Sequence, residues 1–537
     1  MKKNFLIPQL LILPVILFIT AGLLKFAQGP YYLNFYDPSY VYLINGLNLA
    51  QLEGFGVGHF DHPGTTVQVI SAVVVKFYYT VSSSGTDIVS DVFARPEAYL
   101  IKINIFLNFI NCLFLFLFGY FIYSLSKNIF LTFFLMLSPF ASTELFYGMI
   151  IVTPDNLLIS ASLMTLGIIF YCLYKKEQTY SVAEVIVFAV IIAFGLATKL
   201  NFIPMLFIPM IILNGYKNKF LYLFFIIIFF VIFILPGIYN IEYFLNWVEG
   251  LILKEGKHGK GGANVIDPGS FSKNLINVFT KDILFAVSYF TILSTFVYLI
   301  YAKYILKKDF GFLKSPVLIR ILTAILTAMT LQIIIVSKHY AQYYMIPSFM
   351  LSLTGLYISY LIICELFPGK FKNNAKPIYA GVMSALIIWF SYQIVSSYFE
   401  GREQSEDAMS MVNFIEKKYP DYIIIPSFGS ANVEAPLAFA SQYAGSRHEV
   451  YKEILQRKLR SEIYFNQWVN EFYYLPDNQN SLSILKSGKP VLLQLSRYGS
   501  IKEFRNKLSE ITGYKNIEYN VIFTNENNES VYEIFMR

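Results

Sequence analysis

The sequence predicts an α-helical polytopic membrane protein with about eleven spans and a small C-terminal α/β soluble domain. Three observations carry this. Apolar runs long enough to cross a bilayer recur between residues 5 and 396. Only 14% of the residues are charged while 56% are hydrophobic, where a soluble domain carries about 25% charged residues to cover its surface. Beyond residue 397 the long apolar runs stop and charge rises.

The first run, 5–24, follows Lys2-Lys3 and is long enough to span, since about 20 apolar residues cross the hydrocarbon core. Ala27-Gln28-Gly29 is a poor match to a signal-peptide cleavage site, so the run reads as an uncleaved first helix. Further runs lie at 103–123, 129–141 (extending toward 149), 157–174, 182–197, 201–213, 219–238, 284–302, 318–336, 343–364 and 377–396. Each must be helical, because backbone groups in lipid need partners within their own segment. The run 201–213 is short and holds Pro204 and Pro209, which makes it the weakest span.

The run 66–81 decides the topology. It is short and carries Lys76, and it reads as a helix lying at the outer surface. That parity gathers Lys2, Lys3, Lys127, Lys175, Lys176, Lys217, Lys219, Lys303, Lys307, Lys308, Lys314, Lys370, Lys372 and Lys376 on the inner side. The same loops hold only the acids Glu177, Asp309 and Glu365. Lys/Arg bias in short loops sets orientation. The loop 25–98 with its surface helices, the loop 240–282 and the domain 398–537 then face outward, beyond a membrane domain at 1–397.

The C-terminal domain is read from its periodicity. Helices are predicted at 405–418, 432–443, 449–459 and 501–511, and strands at 422–425, 490–495, 517–523 and 531–535. No internal repeat and no low-complexity tract is present.

Composition narrows the function. The net charge of +7 sits mainly in short loops between apolar runs, so membrane orientation explains it and a nucleic-acid partner does not. Cys112, Cys172 and Cys364 fall in or beside apolar runs, which argues against a disulfide framework or structural zinc. No phosphate-binding glycine loop or dinucleotide fingerprint occurs. Frequent Asn, Lys and Ile point to an AT-rich, bacterial genome, and so to the inner membrane, while loop charge places the C-terminal domain outside the cytoplasm.

Ionisable groups cluster on the outward side. Asp37 stands in Tyr36-Asp37-Pro38 just after the first helix, and Asp61-His62-Pro63 comes later in the same loop. Asp155 opens a span in Thr153-Pro154-Asp155-Asn156, and Glu144 sits in an otherwise apolar stretch. Ionisable residues within spans are costly and often functional. For Asp37 and Asp155 the bland alternative is an N-cap, because both stand just before helices. The cationic candidates are Arg95, Lys199, His258 and Lys338-His339. For Lys199 and Lys338 the bland alternative is snorkelling to the interface. His258 lies in a glycine-rich basic loop, 254–262, that departs from the positive-inside trend and equally suits a plain linker.

In order and sidedness these motifs resemble the GT-C superfamily of integral-membrane glycosyltransferases, of the protein O-mannosyltransferase and aminoarabinose lipid A transferase type. The resemblance rests on Tyr36-Asp37-Pro38, Phe60-Asp61-His62-Pro63, Val152-Thr153-Pro154-Asp155-Asn156, Gly195-Leu196-Ala197-Thr198-Lys199, and Lys338-His339-Tyr340 followed by Tyr344 and Pro347. It covers roughly residues 1–350. Two positions depart from the pattern. Pro38 follows Asp37 where many members have a second acid, and Asp61-His62 replaces the Glu-Lys of the aminoarabinose enzymes.

The resemblance implies transfer of a sugar from a polyprenyl-phosphate donor to an extracytoplasmic glycan, lipid or protein acceptor. The sugar–phosphate bond breaks with positive charge at the anomeric carbon and negative charge on the departing phosphate. Asp37 is the expected base, and Asp155 orients the acceptor or shares that role. Arg95, Lys199, Lys338, His339 and Tyr340 are expected at the donor phosphate. Asp61, His62 and His258 are expected to bind the donor or a divalent metal ion. Direct displacement implies inversion at the sugar. Two rivals stay open: a transporter or flippase of a lipid-linked or anionic substrate, using Glu144 and Asp155, and a non-catalytic receptor or scaffold.

Overall fold

The structure is a computed structural model. It describes the chain apart from residues 1–2, 35, 53–55, 83–84, 255–265, 267, 307–315, 368–374, 428–432, 459–462, 468–469, 475–484, 486–488, 497–498 and 537.

Among the described residues, eight helices are long and apolar enough to cross a membrane: Leu6–Ala27, Pro96–Ser126, Pro154–Tyr174, Tyr216–Leu253, Ile283–Tyr304, Pro316–Lys338, Gln342–Leu366 and Gly381–Lys418. The protein is thus an integral membrane protein. Ile129–Phe140 and Thr143–Ile150 form a ninth crossing if this pair, bent by 65°, is one broken span. Pro139 lies in a 3-10 turn just before the break, and Ser142 recaps the second half by accepting from the Glu144 N–H. Two predicted spans are short. Val182–Thr198 has 17 residues, and the 201–213 run begins as a 3-10 turn over Leu200–Leu206. Pro204 and Pro209 each lack the N–H that an α-helix needs, which accounts for the second case.

The chain packs as two compact units. The first comprises Met1–Gly22, Phe60–Val67 and Phe106–Val395. Its most enclosed span is Pro154–Tyr174, with 72% of its apolar window buried. Buried amides hold that span. Asn108 and Asn156 both donate to the Met149 carbonyl, at 2.9 and 3.2 Å. Asn111 donates to the Asn156 side-chain oxygen at 2.7 Å and accepts from the Ser160 hydroxyl at 2.5 Å. Each amide thus satisfies its polar atoms inside apolar surroundings, where an unmade hydrogen bond is expensive. Between the runs, the predicted outward loop 240–282 is largely helical: Ile241–Leu253 extends the preceding span, and Pro268–Thr280 precedes the next.

The second unit comprises Leu23–His59, Gln68–Ile105 and Ser396–Arg537. The early loop is helical over Tyr31–Asn34, Tyr36–Ala50, Thr65–Ser82 and Ile88–Ala94. The C-terminal strands are β1 (Ile423–Pro426), β2 (Ile463–Asn466), β3 (Glu471–Tyr474), β4 (Val491–Leu495), β5 (Ile517–Thr524) and β6 (Ser530–Met536). Four of them make a sheet of order β1-β4-β6-β5, with β1 parallel to β4 and the rest antiparallel. The helix Ile501–Thr512 lies between β4 and β5 in sequence. Ser500 caps it, and Gly513, at φ +79°, ends it in the left-handed conformation that suits glycine. Phe465, Phe472 and Phe504 meet at ring distances of 5.0–5.4 Å in the core. The β2–β3 hairpin is not among the predicted strands. The long helix Ala375–Lys418 runs without a break through the predicted boundary at residue 398.

In this unit the early loop and the C-terminal domain are joined by hydrogen bonds. Asn45 donates to the Tyr443 carbonyl at 3.2 Å and accepts from the Gly58 and His59 N–H groups at 2.7 and 3.2 Å. Asn48 donates to the Ala444 carbonyl at 2.9 Å and accepts from the Tyr451 hydroxyl at 2.6 Å. Gly58 approaches so closely that a Cβ there would lie 2.2 Å from the Gly445 nitrogen and the Tyr443 oxygen. Only glycine fits such a backbone approach.

Candidate functional site

Asp155 and Lys199 are the centre of the site in the first unit. Pro154 starts the Pro154–Tyr174 helix at its first turn, where a fixed φ and a missing N–H cost nothing, and Asp155 follows in that turn. Its carboxylate is favoured there by the helix dipole. Lys199 stands at the C-terminal cap of Val182–Thr198 with extended backbone, paired across an isolated bridge with Pro63. The Leu200 N–H donates to the His62 carbonyl at 2.9 Å, and the Thr66 and Thr198 hydroxyls meet at 2.9 Å. These bonds tie the Phe60–Val67 segment to the turn that carries Lys199.

The Lys199 ammonium donates to both Asp155 oxygens, at 2.9 and 2.7 Å. Both side chains are buried, at 6% and 7% exposure. The Tyr343 and Tyr344 rings lie 4.7 and 5.0 Å from the same ammonium. Lys199 is therefore not snorkelling, and Asp155 binds a side chain rather than acting as a simple N-cap.

Lys199 also lines a cavity of about 500 Å³. Its polar lining includes His62, Lys199, Lys338, His339, Tyr340, Tyr343 and Tyr344, and its walls are apolar, with Trp247, Val248, Leu251, Ile334 and Ile335. Lys338 donates to the Leu251 and Ile252 carbonyls at 2.7 and 2.6 Å, and the His339 ring lies 3.3 Å from the Leu251 carbonyl. These are the last carbonyls of the Ile241–Leu253 helix, an end that attracts cations. His62 packs edge-on against Trp247 at 5.3 Å and lies 3.6 Å from the Asp61 carboxylate. Burial pushes the Tyr340 phenol up to about 12, so it serves as a neutral hydrogen-bonding group. Asp282 caps the Ile283–Tyr304 helix, accepting from the Phe285 N–H at 2.9 Å, and burial raises its pKa.

The structure thus brings His62, Lys199, Lys338, His339 and Tyr340 to one cavity, with Asp155 bound to Lys199 and Asp61 beside His62. Asp37 and Arg95 belong to the second unit. Asp37 has extended backbone (φ −104°, ψ 119°) immediately before a helix, as an N-cap residue does, and its side chain is exposed. Arg95 donates to Asp91 at 2.5 Å and to the Ser82 carbonyl at 2.9 Å, and the Asp91 hydrogen bond raises its pKa. His258 lies outside the described residues. Trp247 and Tyr343 line the cavity without having been singled out by motif. One signal for Trp247 was available, since the chain has three tryptophans and this one follows an apolar run on the predicted outer side.

The second unit also holds the segment around Asp37 firmly. The Glu97 carboxylate accepts from the Tyr31 and Tyr32 N–H groups at 2.8 and 3.0 Å and from the Tyr40 hydroxyl at 2.7 Å. Those contacts fall on both sides of Asp37 in sequence.

The described residues combine apolar spans with a small strand-containing C-terminal domain. Among solved structures, the chain matches ArnT from Cupriavidus metallidurans, determined bound to undecaprenyl phosphate. The TM-score is 0.52 at 10% identity, over 99% of this chain and 98% of that one. At this identity the likeness concerns the fold. No protein-family model and no curated protein matches the chain in sequence.

Proposed function

We propose that this protein is a GT-C-type glycosyltransferase that moves a sugar from a polyprenyl-phosphate donor to an extracytoplasmic acceptor. The observation that carries the reading is the cavity of the first unit, where the Lys199 and Lys338 ammonium groups and the His339 imidazole stand against an apolar wall. A phosphate suits the cationic side, and a prenyl chain suits the apolar side. The bound lipid of the ArnT structure, undecaprenyl phosphate, has this chemistry.

In the proposed reaction the acceptor hydroxyl attacks the anomeric carbon as the bond from that carbon to the phosphate oxygen breaks. The hydroxyl proton passes to a carboxylate, for which Asp37 is the candidate, and polyprenyl phosphate leaves with the bonding pair. Attack opposite the leaving group inverts the sugar. Lys338 and His339 stabilise the charge growing on the phosphate, and Lys199 adds to that field while fixing Asp155. Asp61 and His62 provide a carboxylate and an imidazole of the kind that binds divalent ions.

The test supplies purified protein with radiolabelled polyprenyl-phosphate sugars and a membrane extract. Wild type is expected to transfer label, and Asp37→Asn to lose at least about a hundredfold, within the usual range for a general base. Equal transfer by both proteins removes Asp37 from the role. Absence of transfer with every donor overturns the glycosyltransferase reading.

A further inference from the structure

A second cavity of about 500 Å³ lies among the Pro96–Ser126, Pro154–Tyr174 and Val182–Thr198 helices, apart from the site above. Its walls include Phe114, Leu117, Phe118, Leu163, Gly167 and Val187, and the polar groups in its lining are Glu184 and the Tyr171 hydroxyl. Leu117 and Val187 on its rim are 45% and 54% exposed, so the groove opens sideways. Gly167 forms part of its floor, and a Cβ built there meets nothing within 4 Å.

The groove has a polar end. Glu184 accepts from Lys175 and from the Tyr171 hydroxyl, and it closes a capping box with Ser181. The register of the helices places more charge at the same level. Asn156 meets Asn108, Ser160 meets Asn111 and Phe170 meets Phe118. These pairs align the Pro96–Ser126 and Pro154–Tyr174 helices in parallel, with their C-terminal ends together. Lys127, after the first, and Lys175-Lys176, after the second, therefore share one end of the bundle. Lys127 and Lys176 are exposed. Of the acids at that end, Glu184 is held by Lys175 and Tyr171, while Glu177 is exposed. Loop charge assigns this end to the cytoplasm.

The dimensions suit one leaflet. The wall from Leu163 to Tyr171 rises about 12 Å at 1.5 Å per residue, close to the roughly 15 Å of one leaflet's hydrocarbon. We propose that this groove binds one acyl chain of an anionic glycerophospholipid, with its phosphate headgroup at Lys127 and Lys176. The apolar lining excludes a polar occupant, and the basic rim selects the headgroup charge. This proposal is independent of the transferase reading.

The test uses the full chain purified in detergent and given an equimolar mixture of phosphatidylglycerol and phosphatidylcholine. Bound lipid is counted by native mass spectrometry. Wild type is expected to retain one phosphatidylglycerol. Gly167→Leu, whose side chain enters open space in the groove, is expected to lose it. Lys127→Gln and Lys176→Gln are each expected to lower the preference for the anionic lipid roughly fivefold. Equal retention by wild type and a folded Gly167→Leu variant, or no anionic preference in wild type, overturns the proposal. A readout without substitution uses phosphatidylglycerol carrying a diazirine on its acyl chain. Crosslinks are expected on peptides holding Leu163–Tyr171 and Val187–Ile191, and labelling spread evenly over all spans overturns the proposal. Competition by polyprenyl phosphate at equal molar ratio also overturns it.

Discussion

Asp155 and Lys199 show what a buried ion pair demands. Each has left water, so removing one partner leaves an uncompensated charge and costs about 3–5 kcal/mol. Lys199→Met is expected to lower the melting temperature sharply in a detergent thermal-shift assay. The double variant Asp155→Asn/Lys199→Met is expected to recover much of that loss, because neither charge then stays buried alone. A double variant no more stable than Lys199→Met alone shows that the pair is not the source of the effect. Glu97 offers a second test at this scale. Its carboxylate holds the Tyr31 and Tyr32 N–H groups and the Tyr40 hydroxyl around Asp37. Glu97→Ala is expected to reduce protection of those two amides in hydrogen exchange by about 1.5–3 kcal/mol, the worth of a charged hydrogen bond. Unchanged exchange at Tyr31 and Tyr32 refutes this role. The sequence singled out Asp155 and Lys199 but not their pairing, because residues 44 positions apart share no local pattern.

The elements were legible wherever one short-range rule governed them. The four-stranded sheet formed at the predicted strands because β-branched and aromatic runs there are bounded by turn residues. The β2–β3 hairpin was missed because its strands are four residues each and its partner choice is decided by packing on Phe504. The helices within the loop 240–282 carry no span-like signal in the sequence, because they are amphipathic rather than wholly apolar. Glycine positions report contacts between elements. In the first unit, a Cβ at Gly237 would lie 2.4 Å from the Phe60 ring. Gly237→Ala is expected to cost about 1–3 kcal/mol by overpacking, read as a lower midpoint in thermal denaturation. Phe60→Leu in the same chain is expected to restore part of it, and failure to do so rules out this contact as the cause.

At the scale of the molecule, the second unit draws on three separate stretches of chain. Asn45, Asn48 and Gln51 of the early loop take partners from Tyr443, Ala444, Arg447 and Tyr451. The C-terminal residues therefore support the loop that carries Asp37. Truncation after Lys418 is expected to expose the Tyr36–Ala50 helix to protease while the apolar spans stay resistant. Equal resistance of that helix in the truncated and full chains refutes this dependence. Asn45→Ala/Asn48→Ala in the full chain is expected to reproduce part of the sensitivity.

The sequence by itself determined the membrane class, the positions of most spans and the α/β character of the C-terminal domain. Those properties depend on the length and period of apolar runs, which the bilayer and the backbone's hydrogen-bonding needs make local. It also nominated the ionisable residues, since charge is conspicuous in apolar surroundings. Only the tertiary structure decided what each of them touches. It set Lys199 on Asp155, placed Lys338 and His339 at the end of a helix nearly ninety positions earlier in the chain, at Leu251, and gathered these side chains around one cavity. Such pairings are chosen by packing and desolvation across the whole unit, and no local pattern records them.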